Sequence, residues 1–319
     1  MTEPSTLDPA EKKVTVSVFV PARNEAENVG PLIDKIARCF DQRHIDGEVV
    51  FVNDGSTDGT REEAETCAAR YGFVRVFHHR KSLGLTAAMK TGFRHARGDI
   101  VIFLPADLES DPEEDIPKLM SEMDKGYDVV AGWRQGRHDN KVVASGIYNF
   151  VSRLLFNVPA HDMNWIKAFR REVIEELPLR SDWHRFVLMI AAAKGYKIGE
   201  VKTNYYPRKQ GKSKFGFSRI PISFLDVLVV KFLLTFSQKP MLFFGSLGMG
   251  MILVAGLITS YLIYLWLSAH TQQRPILLFA GFLVVAGLLL FLVGFLAELI
   301  VSQFERLEEL ESLLKKGRE

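Results

Sequence analysis

Four short polar segments each close a β-branched run, and each carries residues that can do chemistry. PARNEAEN (21–28) ends the first run. Pro21 is expected to stop the strand ladder there, while Asn24, Glu25 and Glu27 gather at the start of a helix, where ordinary capping would suffice to explain them. NDGSTDGT (53–60) ends the second. Asp54 follows the strand directly, Gly55 permits a tight turn, and Ser56, Thr57 and Asp58 can cap the next helix. A carboxylate at Asp54 can also accept hydrogen bonds from a base N–H. RKSLGLTAAMKTG (80–92) is a glycine-containing loop entering a small-residue helix. It resembles a phosphate cradle but lacks the GxxxxGK[ST] spacing of a P-loop. LPADLESDPEED (104–115) ends the fourth run. Asp107 and Glu109 form an oxygen-donor pair of the kind that a hard divalent cation shares with a diphosphate. Residues 111–115 read as the solvated start of a helix.

These segments act together only if the fold brings them to one edge. Strand-like runs at 14–20, 48–54, 74–79, 99–104 and 128–132 alternate with helical stretches at 26–40, 60–71, 86–96 and 113–125. Such a βαβ series implies an α/β domain with a mostly parallel sheet and helices on both faces. Ligands then sit outside the carboxyl ends of the strands, where all four polar segments fall.

Length and composition set the wider frame. The 319 residues allow two domains, or one with an appendage, and 47% hydrophobic against 24% charged residues excludes disorder for the bulk of the chain. Forty Lys+Arg against 38 Asp+Glu give a net charge of +2, which hides a basic block. Eight Lys/Arg and one acid, Asp226, lie between positions 202 and 239, which points to phosphates or lipid headgroups as partners. Cys39 and Cys67 are too few for a disulfide framework, so a reducing compartment is expected. Residues 1–13 are polar, carry Pro4 and Pro9, and read as a flexible tail rather than a signal peptide.

The apolar material lies at the other end. Stretches 241–267 and 276–297 contain no charge, and as helices they would span about 40 and 33 Å, enough for a hydrocarbon core of about 30 Å. The link 268–275 holds a single Arg. Lys231, Lys239, Arg306, Lys315, Lys316 and Arg318 flank the other side, so the charge bias predicts a hairpin with both termini in the cytoplasm. The expected organisation is a tail at 1–13, a catalytic domain at 14–216 and an interfacial amphipathic helix at 217–239. Two transmembrane helices within 240–301, at about 241–267 and 276–300, and a cytoplasmic amphipathic tail at 302–319 complete it.

Taken in order, VPARNEAEN, VNDGSTDGT, the loop through Gly84 and PADLE resemble the GT-A domain of family 2 glycosyltransferases. The segments AGWRQGR (131–137), HDMNWIKAFRREV (161–173), HRF (184–186), GEV (199–201) and PRKQGKSKFG (207–216) resemble its polyprenyl-phosphate glycosyltransferase branch. That branch includes dolichol-phosphate mannose synthases and bacterial polyprenyl-phosphate glucosyltransferases. The resemblance implies a Rossmann-like GT-A catalytic domain, followed by the interfacial helix and the hairpin. It implies that Pro21, Ala22, Arg23, Glu25, Asp54, Gly84 and Ala106 line the nucleotide site. Asp107 with Glu109 would hold Mg²⁺ or Mn²⁺, and Arg134 and the 207–216 loop would meet phosphates. Pro105 stands where the family usually has the first Asp of its DxD, and Trp165 and Ile166 replace a usual glycine.

The implied chemistry is inverting transfer of one sugar from a nucleotide-diphosphate sugar to a polyprenyl phosphate. A lipid monophosphate is already an anionic nucleophile and needs cations to hold it in line rather than a general base. Lys141, Lys167, Arg185, Arg208, Lys212 and Lys214 could serve, with Ser213. Gly211 and Gly216 bracket part of this set, as a loop closing on phosphates requires. The expected setting is the cytoplasmic face of the inner membrane, as a multi-pass homo-oligomer without nucleic-acid partners. The alternatives are another lipid or polysaccharide acceptor, or a nucleotide-sugar-binding membrane protein that has lost its chemistry.

Overall fold

A computed structural model of the chain describes residues 14–136, 153, 156, 158–177, 179, 183–207, 231, 239–271 and 273–316. The chain forms two compact units, Met1–Val227 and Leu228–Glu319.

The first unit is built on a seven-stranded sheet in the order β3-β2-β1-β4-β6-β5-β7. Strands β1 (Val16–Ala22), β2 (Gly47–Asn53), β3 (Val74–His78) and β4 (Ile100–Phe103) are mutually parallel. Their apolar runs are nearly unbroken because helices cover both faces. Val16, Val18, Phe19 and Val20 of β1 and Val49 to Val52 of β2 are fully buried. The covering helices are α1 (Ala26–Arg43), α2 (Thr60–Arg70), α3 (Leu85–His95) and α4 (Pro112–Met123). The rest of the sheet comes from β5 (Val129–Gln135), β6 (Lys167–Arg170) and β7 (Ile198–Asn204). β5 and β7 are parallel to each other, while β6 runs antiparallel between β4 and β5. Short helices α5 (Arg171–Glu176) and α6 (Val187–Ala193) follow, with a 3₁₀ turn at Trp183–Phe186 between them.

From β1 the chain winds outward to β3, then returns to the other side of β1 as β4. That reversal makes a topological switch point at the carboxyl ends of β1 and β4, the kind of place where open α/β sheets take ligands. Pro21 does not stop the ladder as expected: β1 continues, with Pro21 beside Val52 and Ala22 beside Asn53. The reason lies in the parity of the strand. Phe19 uses its carbonyl toward β4, accepting from Leu104 N–H at 3.0 Å. Pro21 has the same parity, and β4 pairs with β1 only as far as Phe19, so the missing N–H has no partner to lose.

A second difference concerns the start of α4. A helix does start here, and Asp111 caps it, accepting the Glu113 N–H at 3.0 Å. Asp115 is not solvated: it is 1% exposed and lies on the buried face with Ile116 and Leu119. Cys39 and Cys67 are both buried free thiols, and burial pushes Cys39 up to about 11.

The second unit consists of α7 (Pro240–Ala269) and α8 (Arg274–Lys316). Both contain a stretch long and apolar enough to cross a membrane, Pro240–Ala269 and Arg274–Gln303. His270, with φ of 52°, ends α7 in a left-handed conformation, and α8 starts four residues later to pack back along it. The helices meet at glycines. A methyl group on Gly248 would lie 2.4 Å from the Gly287 carbonyl oxygen, and one on Gly287 would lie 2.6 Å from that of Gly248. The residues read from sequence as a separate amphipathic tail continue α8 without a break to Lys316.

Candidate active site

Two loops at the carboxyl edge are sewn together beside β1. Asn24 adopts φ of 58° between β1 and α1. Its N–H donates to Ser56 Oγ at 3.0 Å, and its side-chain oxygen accepts from Thr57 N–H at 2.9 Å. Glu25 N–H donates to Thr60 Oγ1 at 2.9 Å, and Glu25 accepts from Asn28 Nδ2 at 2.6 Å. The polar residues read from sequence as helix caps thus bond across the two loops as well as within each. Pro21 and Glu25 are half-buried, Ala22 is buried, and Arg23 is exposed.

Asp54 organises the next loop. Its carboxylate accepts from His79 Nδ1 at 2.7 Å, Ser82 Oγ at 2.8 Å, Leu83 N–H at 2.8 Å and Gly84 N–H at 2.9 Å. Burial alone would raise its pKa. The bonds from Leu83, His79, Ser82 and Gly84 outweigh burial and hold the carboxyl below its ordinary value. His79 is fixed in turn by Thr91 Oγ1 at 2.9 Å. Gly55 lets this loop approach: with φ of +62°, a Cβ there would sit 2.3 Å from the backbone of Lys81 and Ser82. Asp54 therefore shapes the wall that Gly84 and Ser82 form, using the oxygens that the sequence reading offers to a base.

Beyond Gly84, α3 starts without a side-chain cap. Buried Thr86 in its first turn bonds through Oγ1 to His184 Nδ1 at 3.0 Å, which brings the His184–Arg185 pair of the 3₁₀ turn to this edge.

Asp107 and Glu109 follow β4 in a turn whose middle residue, Leu108, has φ of 54°. Asp107 is 9% exposed and Glu109 half-buried, with Ala106 buried beneath them. Glu109 N–H donates to Asp107 Oδ1 at 3.3 Å, and the Glu109 carbonyl accepts from Tyr206 N–H at 2.9 Å. Among the described residues, no three His, Cys, Asp or Glu side chains converge as a complete ligand set. Two carboxylates on one tight turn nonetheless suit Mg²⁺ or Mn²⁺, which bind through one or two carboxylates and take their remaining oxygens from water and phosphates.

Behind the turn lies a buried cationic cluster. Because β6 runs backward, its first residue, Lys167, lies at the carboxyl end of β4, opposite Phe103. Lys167 donates to the Trp165 carbonyl at 2.7 Å and stands 5.7 Å from the centre of the Phe103 ring. Burial pushes its ammonium down to about 8, with Asp162 opposing that fall and Arg134 adding to it. Arg134, at the end of β5, is bound bidentately to Asp162 at 2.6 and 3.1 Å and lies over the Trp165 ring. Trp165 is anchored by a bond from Nε1 to Thr203 Oγ1 at 3.0 Å. The sequence reading aims Arg134 at phosphates; here much of its fork is spent on Asp162, a partner the sequence did not single out. Lys141, Arg208, Lys212, Ser213 and Lys214 lie outside the described residues, as does the loop beyond Pro207.

Comparison with known proteins adds a family to this geometry. Residues 17–181 match the model for glycosyl transferase family 2. A dodecaprenyl-phosphate galacturonate synthase of Rhizobium johnstonii is 32% identical over 94% of this chain and 91% of its own. An undecaprenyl-phosphate 4-deoxy-4-formamido-L-arabinose transferase of Pseudomonas paraeruginosa is 29% identical over 89% of this chain and 84% of its own. Among solved structures, glucosyl-3-phosphoglycerate synthase from Mycobacterium tuberculosis with Mn²⁺ and UDP-glucose superposes with a TM-score of 0.54 at 20% identity. That match covers 68% of this chain and 79% of the other. At that identity the likeness shows the fold alone, a GT-A arrangement. With the family model spanning more than half the chain and a relative 32% identical over 94% of it, the chain belongs to glycosyl transferase family 2 and is a glycosyltransferase.

Proposed function

We propose that the chain transfers a single sugar from a nucleoside-diphosphate sugar to a polyprenyl phosphate at the cytoplasmic face of a membrane, with inversion at the anomeric carbon. The observation that carries this reading is the reach of the galacturonate synthase match. At 94% of this chain and 91% of the relative, it includes both the sheet domain and the apolar helix pair, and it omits neither. The names of both relatives place their sugars on polyprenyl phosphates.

In this reading the nucleotide lies in the crevice between β1 and β4. Pro21, Ala22, Arg23 and Glu25 form one wall, and the Ser82–Gly84 loop held by Asp54 forms another. Asp107 and Glu109 would hold a divalent cation, which neutralises the departing diphosphate when bound. Arg185 and Lys167 approach from the far side, and Lys141, Arg208, Lys212, Ser213 and Lys214 complete the cationic set. An anionic acceptor phosphate supplies its own nucleophilic oxygen, so these residues need only orient it opposite the leaving group and offset charge. Attack from the opposite face inverts the anomeric carbon.

The test is nucleotide release by the purified full-length protein with UDP-sugars, in the presence and absence of undecaprenyl phosphate. Release that depends on the lipid supports the reading. Release that ignores the lipid but follows an added polysaccharide would move the acceptor to that class.

A further inference from the structure

The first turn of α4 grips two parts of the edge at once. Ser110 Oγ donates to Asp115 Oδ2 at 2.6 Å, and Ser110 closes the turn that carries Asp107 and Glu109. The neighbouring Glu114 accepts from Asn204 Nδ2 and from the Tyr206 hydroxyl, both at 2.8 Å, and Tyr206 N–H returns to the Glu109 carbonyl. The turn needs such holding, because Leu108 is a non-glycine residue in left-handed backbone, a conformation that persists only where surrounding bonds over-determine it.

Asp115 is an expensive way to supply one of those bonds. It is 1% exposed, its Oδ1 has no hydrogen-bond partner among the described residues, and Lys118 stands 3.8 Å away. A half-satisfied buried carboxylate lowers stability, and an apolar side chain would pack there with Ile116 and Leu119. A costly acid placed one hydrogen bond behind a candidate ligand turn has a reason outside stability.

We propose that Asp115 is a positioning residue that, through Ser110, fixes the Asp107–Glu109 turn in the orientation that meets the donor's diphosphate and its cation. The proposal rests on the reading of Asp107 and Glu109 given above. Its test compares Ser110→Ala, Asp115→Ala, the double variant and Asp115→Asn in the full chain. Turnover is titrated with Mn²⁺, and melting is followed without metal.

Each alanine variant should raise the Mn²⁺ concentration for half-maximal turnover by about tenfold, the scale on which outer-shell partners of metal ligands act. The double variant should cost no more than either single one, because both remove the same link. Asp115→Asn keeps an acceptor for Ser110 and should recover most of the loss. Unchanged Mn²⁺ dependence in a folded Ser110→Ala protein overturns the proposal, as does an Asp115→Asn protein as impaired as Asp115→Ala. If the unmodified enzyme ignores chelator, the metal reading fails by itself. Positioning is then read from the donor KM, which must rise in the same variants or the proposal falls.

Discussion

The carboxylate of Glu298, in the apolar part of α8, accepts the backbone N–H of Met241 in the first turn of α7 at 3.1 Å. Lys239 and Pro240 leave that helix start without a side-chain cap of its own, so one helix of the hairpin caps the other. An acid so near hydrocarbon is tolerated because it meets unsatisfied N–H groups and the positive end of the helix dipole. Glu298→Ala should cost about 0.5–2 kcal/mol, as the loss of a cap does. Glu298→Gln should cost less. Melting in detergent, followed through Trp266 of α7, measures both. Equal melting of all three proteins would show that the contact contributes nothing.

Asp107→Ala should lower turnover by about a hundredfold or more at saturating Mn²⁺, the scale of losing a preorganised electrostatic contact. Its melting should stay near that of the unmodified protein. Glu109→Gln is the finer probe: if Glu109 replaces the carboxylate that Pro105 lacks, its loss should raise the metal requirement, and if it is merely solvated nothing should change. Near-normal turnover of Asp107→Ala would remove the assignment.

The buried carboxyl of Asp115 makes stability depend on pH in a definite direction. Burial raises it to about 6 from an ordinary 3.8. Its folded pKa lies above its unfolded one, so its contribution is fullest below about 4 and is lost as pH rises through about 6. Asp115→Asn does not titrate. Relative to the unmodified protein it should gain stability between pH 4 and 7.5, by up to about 3 kcal/mol. Thermal unfolding at the two pH values checks this, and a difference that does not change with pH would refute it.

Orientation has a separate test. The charge bias of the flanks predicts the link between α7 and α8 outside and the end of α8 inside. A cysteine at Ser268 should react with an impermeant thiol reagent in intact cells, and one at Ser312 should not. The opposite labelling would separate the catalytic domain from cytosolic nucleotide sugars and defeat the proposed function.

Much of this architecture was legible in the sequence, for physical reasons that also set the limits. Runs such as VTVSVFV and EVVFVND are strands buried on both faces, and their polar endings mark the carboxyl edge. β6 was not legible as a strand: KAFR is too short to show a period, and its reversed direction depends on neighbours far along the chain. The environments of single polar residues were hidden for the same reason. Asp115 sits in an acidic run that reads as solvated, and its burial comes from packing. Arg134 looks free until Asp162, 28 residues later, is brought to it. Glu298 follows an apolar run directly, and its partner is the start of a helix 57 residues earlier.

The glycine contact between α7 and α8 limits where a lipid can go. With Gly248 and Gly287 each facing the other's carbonyl oxygen, the two helices close on one another at this level without room for an acyl chain between them. The hairpin is a solid blade rather than a sleeve. In the proposed function, a polyprenyl chain beside the hairpin would lie along the outer flanks, where side chains such as Leu253, Leu257, Phe282 and Leu289 are exposed.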